Sequence, residues 1–562
     1  MMRRFVILSV AAVLFAGCGA FTMTLSNQIE IVLPQAPTPT AQPMEPTIDP
    51  SAAETPPIEA LPVLNTPIAP IDQTIATPEP FEPSAVADSA LQPYAFSLRR
   101  SFVRELDRFS NATRYDLDLT IDPIKRRVIG KQIVRYVNRG ESPLNEIALR
   151  LFPNTAYMGG AMNVGLVAVD DQFVTPKIFA ARPKDRSVLI VPLPQTLMMG
   201  QATVLTIEYE IVAPKNPLNG YRTFGEIDGI LALPNAYALI PPRDANGFWR
   251  LDVAPTFGDV VFAETALFLA RITAPSDVVV VASAVCDEPN ASAEVATPVK
   301  TMTCVAAPAR DFALHISRAY QVRRVRAPSM YGGSIVVSSF FTPPETRSAS
   351  NALIFAADAI KTFEKHFGAY PYRELKIFQA TTGVGGIEYP ISVGITPFSK
   401  LRDNDYFEWL VAQEVAHQWW YGMVGSDPVN EAWLDEGLAQ YSTSLYIEAR
   451  HGVVAADRLR ERFFTQRWAL EKRERGGAEV GKPTMSFNRW AYAPTIYGKS
   501  PLFFDQARRE GGDALFFAWL KRYFENHRYD IARGENLLAA ADQVGNGETA
   551  RRAHEQWILE DR

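Results

Sequence analysis

The chain is poor in several things at once. Only three cysteines occur in 562 residues, too few for a disulfide-built scaffold. No stretch reaches the roughly 18–20 consecutive apolar residues that a membrane-crossing helix needs, which excludes a polytopic membrane protein. Glycine, at 33 residues, is too scarce for a collagen-like chain, and aromatic residues, at 11%, are too frequent for a coiled coil or a wholly disordered protein. From Gly19 to Leu98 there is no lysine or arginine. No internal repeat is visible. What is there is 47% apolar and 21% charged residues, the balance of a globular protein with a substantial core. The length suggests about two to four domains.

The first residues, MMRRFVILSVAAVLFAGC, are ordered like an export signal. Arg3 and Arg4 form a basic start, and an apolar run from Phe5 to Gly17 follows, too short for a stable span. The small residues before Cys18 resemble the bacterial lipoprotein cleavage box, although Phe15 stands where leucine is usual. Residues 1–18 are therefore expected to be a lipoprotein-type signal peptide with Cys18 as the lipidation site, and the mature chain to be extracytoplasmic and anchored to a bacterial membrane through lipid. An ordinary cleaved signal is the alternative. If Cys18 carries lipid, Cys286 and Cys304 remain as a pair, 18 positions apart. They suit a hairpin staple in a compartment where disulfides persist; two buried free thiols would be the other reading.

Residues 34–93 hold 15 of the 42 prolines, and residues 19–98 carry nine acidic residues. Such a segment buries too little apolar surface to offset its conformational entropy. Residues 19–98 are expected to be an extended tether, partly in polyproline II conformation. The net charge of the chain is −6. Removing the two N-terminal arginines and the nine acidic residues leaves +1 for residues 99–562, so the body has no field suited to nucleic acid.

Two patterns divide that body. Between about 112 and 325, short runs such as Tyr115–Ile121, Val128–Val137, Val204–Val212, Ala266–Thr273 and Val278–Ala282 alternate in polarity and are separated by turn residues. From about 346 onward the period becomes helical, over Ser348–Phe367, Asp405–Tyr421, Ala432–Arg450, Val454–Arg473 and Ser500–Glu510, with one strand-like run at Leu375–Gln379. The reading is a multidomain α+β chain: a β-sandwich-like domain over 99–340, then a mainly helical domain over 341–562.

Within the helix Asp405–Tyr421 lies Gln413-Glu414-Val415-Ala416-His417. Positions four apart share a helix face. In the zincin motif HExxH two histidines at that spacing bind zinc, and the glutamate acts as general base; here the first histidine is Gln413. Trp433-Leu434-Asp435-Glu436-Gly437 follows, with Glu436 19 positions after His417. Gly385-Gly386-Ile387-Glu388-Tyr389 precedes the motif, and Tyr497-Gly498-Lys499 lies beyond it, with Tyr497 84 positions after Gln413.

Taken together these segments resemble the gluzincin aminopeptidases, the aminopeptidase N family, over roughly residues 110–562. The resemblance implies a thermolysin-like fold for the helical domain and one zinc ion held by His417 and Glu436, with Gln413 as a doubtful third ligand. It implies Glu414 as general base, Tyr497 as hydroxyl donor to the oxyanion, and Glu388, beside Gly385 and Gly386, as the anchor for a substrate's free α-amino group. The implied partners are peptides or protein N-termini. Tyr389 replaces the usual asparagine and Ile387 the methionine of the family's G-x-M-E-N segment, and Ser500 stands where a glycine is usual. The chain ends 65 residues after Tyr497, which implies that the large C-terminal helical domain of many relatives is missing and that the cleft is more open.

Gln413 divides the functional readings. A neutral amide oxygen is a poor zinc ligand where imidazole is a good one, and loss of even a supporting partner costs about 10–100-fold in metal affinity or activity. The chain therefore reads as a relative of aminopeptidases with impaired or lost activity, kept as a peptide-binding surface module. The alternatives are an active enzyme with a Gln413/His417/Glu436 site and a scaffold with an idle cleft. Gln413→His alone is expected to restore zinc-dependent activity if the rest of the machinery is intact.

Overall fold

A computed structural model gives the fold. It describes residues 86–560 apart from 87, 156–157, 180–185, 218–221, 253–254, 260, 288–297 and 382–384. Cys18, the signal segment and the tether up to residue 85 lie outside the described residues.

The first half is a multi-sheet β domain. Its largest sheet has eight strands, with Arg114–Asp122 and Arg127–Val137 at its centre, flanked by Ala266–Pro275 on one side and Ala202–Val212 on the other. Arg114–Asp122 runs parallel to Ala266–Pro275, and the other pairings of this sheet are antiparallel. Leu117, Leu119 and Ile121 alternate inward with polar residues outward, which is why a period-two pattern marked them. Two further four-stranded sheets complete the half. In one of them Gly225–Ile227 turns back into Ile230–Pro234 through Asp228 and Gly229, at φ 51° and 76°, the paired positive φ of a tight hairpin turn. Cys286 and Cys304 face each other on neighbouring strands and are disulfide-bonded, with an S–S distance of 2.06 Å.

The structure corrects the expected limits in three places. The tether does not extend to residue 98: Ser89–Ser97 is a 3₁₀ helix capped by the Asp88 side chain, and Leu91, Tyr94, Ala95 and Leu98 are buried. Their apolar spacing was hidden by the proline-rich composition of the longer segment. The expected boundary at 340/341 falls at the end of a strand. Gln321–Pro328 and Ser334–Phe341 belong to a five-stranded sheet with Glu374–Gln379, Ser392–Ile395 and the edge strand Gly386–Tyr389, so the helical half takes its sheet from both sides of that line. Finally, the helix expected over Asp405–Tyr421 spans Asn404–Ala416. The chain then winds through wide turns, in which Gly422 N–H donates to His417 O and Val424 N–H to Trp419 O, and Tyr421 stands at φ 118°.

The helices of the second half include Thr346–His366, Trp433–His451, Ser500–Gly511 and Asp513–His527. The run expected at Val454–Arg473 is helical from Val453 to Arg475 with a π-helical turn at Glu461–Thr465.

Candidate functional site

Two buried helices and one edge strand build the site. The helix Asn404–Ala416 starts at Asp403, whose carboxylate accepts the Tyr406 N–H at 3.0 Å, satisfying one of the free donors of the first turn. It is buried at Phe407 and from Trp409 to Ala416, as expected of a helix enclosed within a domain. His417 caps its C-terminus and keeps its N–H bonded to Gln413 O at 3.2 Å, so the four-residue spacing still stacks the two side chains. The second helix, Trp433–His451, carries Asp435 and Glu436 in its first turn, where the helix dipole favours negative charge. The edge strand Gly386–Tyr389 is tied to the turn that follows the first helix by Gln418, whose amide donates to Tyr389 O at 2.9 Å and accepts the Ile391 N–H at 2.8 Å.

The strand comes very close to the helix. A Cβ on Gly386 would lie 2.3 Å from Glu414 Oε1, and one on Gly385 would lie 2.7 Å from the Tyr406 hydroxyl. These two glycines thus have a packing reason, because only a bare backbone fits there.

Around Glu436 the predicted residues converge. His417 Nε2 lies 3.3 Å from Glu436 Oε2. His417 Nδ1 lies 3.0 Å from Trp420 O; a carbonyl only accepts, so Nδ1 carries a hydrogen. Gln413 Nε2 donates to Glu436 Oε2 at 3.3 Å, and the Tyr497 hydroxyl donates to Glu436 Oε1 at 2.6 Å. Tyr497 reaches this position from a π-helical turn, Pro494–Lys499, an irregularity often found at functional sites. Glu388 lines a cavity that also contains Asp259, Asp311, Ile387, Tyr389 and Tyr421.

The charge balance is lopsided. Burial works against the charged imidazolium, yet the Glu388 and Glu436 carboxylates outweigh it and hold His417 well above the usual histidine range. Burial, then the Asp259 charge, pushes Glu388 well above the usual carboxylate range. Glu414 is pushed up to about 8 by burial, with His417 opposing and Glu436 adding, so in this arrangement it carries its proton at neutral pH. Its Oε2 is buried with no hydrogen-bond partner among the described residues. Asp435 is pushed up to about 7, first by burial and then by Glu436.

This donor set meets the zinc that the resemblance implies only in part. The 3.3 Å from His417 Nε2 to Glu436 Oε2 suits two ligands of one tetrahedral ion, whose bonds of about 2.0–2.1 Å span about 3.3–3.4 Å between ligand atoms. The third position does not fit. Gln413 turns an amide N–H₂, which has no lone pair to give, toward Glu436. Two donors remain where catalytic zinc sites use three protein ligands, and among the described residues no group of three or more His, Cys, Asp and Glu side chains is arranged to hold a metal ion.

Three participants were missed in the sequence. Gln440 Nε2 donates to Gln413 Oε1 at 2.8 Å, and Trp409 Nε1 donates to Gln440 Oε1 at 3.0 Å. Gln440 is four residues after Glu436 and Trp409 four before Gln413, so each shares a helix face with a site residue, but that spacing does not show that the two faces meet. Asp259, from the β half, is pushed well above the usual range by burial and then by Glu436 and Asp435. It sits outside any named strand or helix, and no periodic signal marks it.

Comparison with known proteins agrees with this fold. Residues 388–557 match the Peptidase family M1 domain. Aminopeptidase N of Lactococcus lactis is 27% identical over 154 residues, 26% of this chain and 18% of that protein. The tricorn protease-interacting factor F2 of Thermoplasma acidophilum is 25% identical over 150 residues, 26% of this chain and 19% of that protein. These matches span about a fifth of the length of the curated relatives. Among solved structures, the M1 zinc metallopeptidase of Deinococcus radiodurans aligns with a TM-score of 0.60 at 18% identity, over 80% of this chain and 94% of that one. A two-domain M1 zinc metallopeptidase bound to L-arginine aligns at a TM-score of 0.61 with the same identity, again over 80% of this chain and 94% of that one. At that identity the likeness is one of fold. Residues 388–557 match the peptidase family M1 domain, in keeping with the resemblance to the gluzincin aminopeptidases that the sequence motifs carry.

Proposed function

We propose that this protein is an extracytoplasmic M1 peptidase relative whose cleft captures the free N-termini of peptides or proteins and hydrolyses them poorly or not at all. Lipid on Cys18 would hold it to a bacterial membrane, and the proline-rich segment would set it off from that surface. Its ligand pool is then extracellular peptides and cell-envelope proteins.

The observation that carries this reading is Glu388. Its side chain is nine-tenths buried in the cavity, and no described residue donates a hydrogen bond to it. Burial, and after it Asp259, Glu414 and Glu436, raise its pKa, and His417 alone opposes them. A carboxylate buried without a partner is costly. An α-ammonium group supplies the missing positive charge and three donors, and such charge-assisted bonds are the strong ones. The Gln413 amide, which faces Glu436 with hydrogens, weighs against reading the cleft as a working zinc enzyme.

Calorimetric titration tests the proposal. A short peptide with a free N-terminus should bind, and its N-acetylated form should not. Glu388→Gln should weaken the free peptide at least about tenfold, in keeping with loss of a buried charge-assisted bond. Equal binding of both peptides would remove the case for amine capture. Release of an amino acid from an aminoacyl reporter at saturating zinc would overturn the impaired-hydrolysis half of the reading.

A further inference from the structure

The orientation of the Gln413 amide is imposed from outside the site. An amide taken alone can be turned either way, since its oxygen and nitrogen are nearly alike in shape. The Trp409 indole N–H can only donate, and it donates to Gln440 Oε1 at 3.0 Å. That leaves Gln440 with its N–H₂ on the opposite side, 2.8 Å from Gln413. An N–H₂ also only donates, so Gln413 must answer with Oε1, and its own N–H₂ is turned to Glu436 Oε2. Each step follows from the one before. The residues form a ladder across two helices, Trp409 and Gln413 on one and Glu436 and Gln440 on the other, each pair four apart. All four are buried. Turning the Gln413 carbonyl toward the site would set two N–H₂ groups face to face and leave donors unsatisfied, at about 1–3 kcal/mol each.

We propose that this Trp409–Gln440–Gln413 relay is what excludes a divalent metal from the cleft, and that Gln440 is a second determinant beside Gln413. The inference goes beyond amine capture and does not depend on it. It changes the outcome expected for Gln413→His. A histidine placed there would meet the Gln440 N–H₂, still held by Trp409. That donor selects the tautomer with a lone pair on Nδ1 and a hydrogen on Nε2, so the ring would again point a hydrogen at Glu436. A metal-binding histidine needs the opposite: its Nδ1–H handed to an acceptor, with the Nε2 lone pair free. Gln440→Glu provides that acceptor while still receiving the Trp409 N–H.

The test is zinc titration by calorimetry on the full chain, together with the zinc-dependent rise in melting temperature and, with cobalt(II), the visible spectrum of a tetrahedral site. None of these readouts involves a peptide or turnover, so the result stands apart from the amine-capture test. Wild type and Gln440→Glu should show no zinc-dependent shift. Gln413→His/Gln440→Glu should bind one zinc about 10–100-fold more tightly than Gln413→His alone, the range expected of a supporting partner. Gln413→His/Trp409→Phe should gain in the same direction without added charge, because Gln440 is then free to turn its carbonyl to the ring. The relay is refuted if Gln413→His alone binds as tightly as Gln413→His/Gln440→Glu, if the Trp409 variant shows no gain over Gln413→His, or if wild type takes up stoichiometric zinc. Circular dichroism identifies any variant that has not folded, and either double variant then decides the matter.

Discussion

Tyr497 and Glu436 are joined by a hydrogen bond of 2.6 Å, made to the carboxylate oxygen opposite the one that faces Gln413 and His417. The hydroxyl that the family resemblance assigns to an oxyanion is thereby engaged with the carboxylate it assigns to a metal. Glu436 receives protein donors on both oxygens, so Tyr497 is part of what stabilises it in a buried position.

Tyr497→Phe removes that donor and leaves Glu436 Oε1 short of a partner. The expected loss is about 1–3 kcal/mol in unfolding free energy, read as a lowered urea midpoint. An unchanged midpoint would mean that the bond contributes nothing to the fold.

His417→Ala should cost more. The imidazole and Glu436 are both almost fully buried, at 1% and 4% side-chain exposure. Removing one partner of a buried ion pair leaves the other charge uncompensated, at about 3–5 kcal/mol, whereas replacing both by neutral groups is far milder. His417→Gln/Glu436→Gln should therefore be more stable than His417→Ala in denaturant titration. The reverse order would show that the two side chains do not depend on each other for their place in the interior.

Glu436, 19 positions after His417, and Tyr497, 84 after Gln413, were legible only through the family resemblance, whereas Gln413 and His417 were legible because a helix repeats its face every four residues. The strand-rich first half was legible for a similar reason, in that Leu117, Leu119 and Ile121 alternate with polar neighbours. Other features had no such mark. Gln440 is an ordinary polar residue until Trp409 is known to lie against it. Asp259 arrives from another half of the chain. Leu91 and Tyr94 are too sparse among prolines to announce a packed 3₁₀ helix. Ser334–Phe341 reads as a strand, but its pairing with Glu374–Gln379 is a tertiary fact that local pattern does not carry.

The disulfide should matter to the β half. Cys286 and Cys304 close an 18-residue separation, and a loop of that size is worth about 3 kcal/mol in the chain-entropy account. Cys286→Ala/Cys304→Ala should lower the unfolding free energy by about that amount, and reducing agent should lower the wild type while leaving the double variant unchanged. Equal sensitivity of the two proteins to reductant would assign the effect to another group.

Asp311 offers a test of how the cavity wall responds to pH. It accepts a hydrogen bond from the Tyr421 hydroxyl at 2.5 Å, and its other oxygen is buried without a partner among the described residues. Burial pushes its pKa up to about 7, against the Tyr421 bond and the Arg310 charge, which lower it. The unfolded carboxyl titrates near 3.9. Between about pH 4 and pH 7 the folded chain therefore holds a proton that the unfolded chain has lost, and stability falls as pH rises through that window, by up to about 1.4 kcal/mol per pH unit. Above pH 7 the contribution levels off. Other groups titrate in the same range, among them His315, which burial lowers to about 3 and which acts with the opposite sign, so the informative quantity is a difference. Asp311→Asn keeps an acceptor for Tyr421 and cannot titrate. The unfolding free energy of wild type minus that of Asp311→Asn should decline from pH 4 to pH 7 and stay level from pH 8 upward. A difference that is flat across the whole series would mean that Asp311 is ionised in the folded protein at acidic pH, and that the cavity wall is better solvated than its packing indicates.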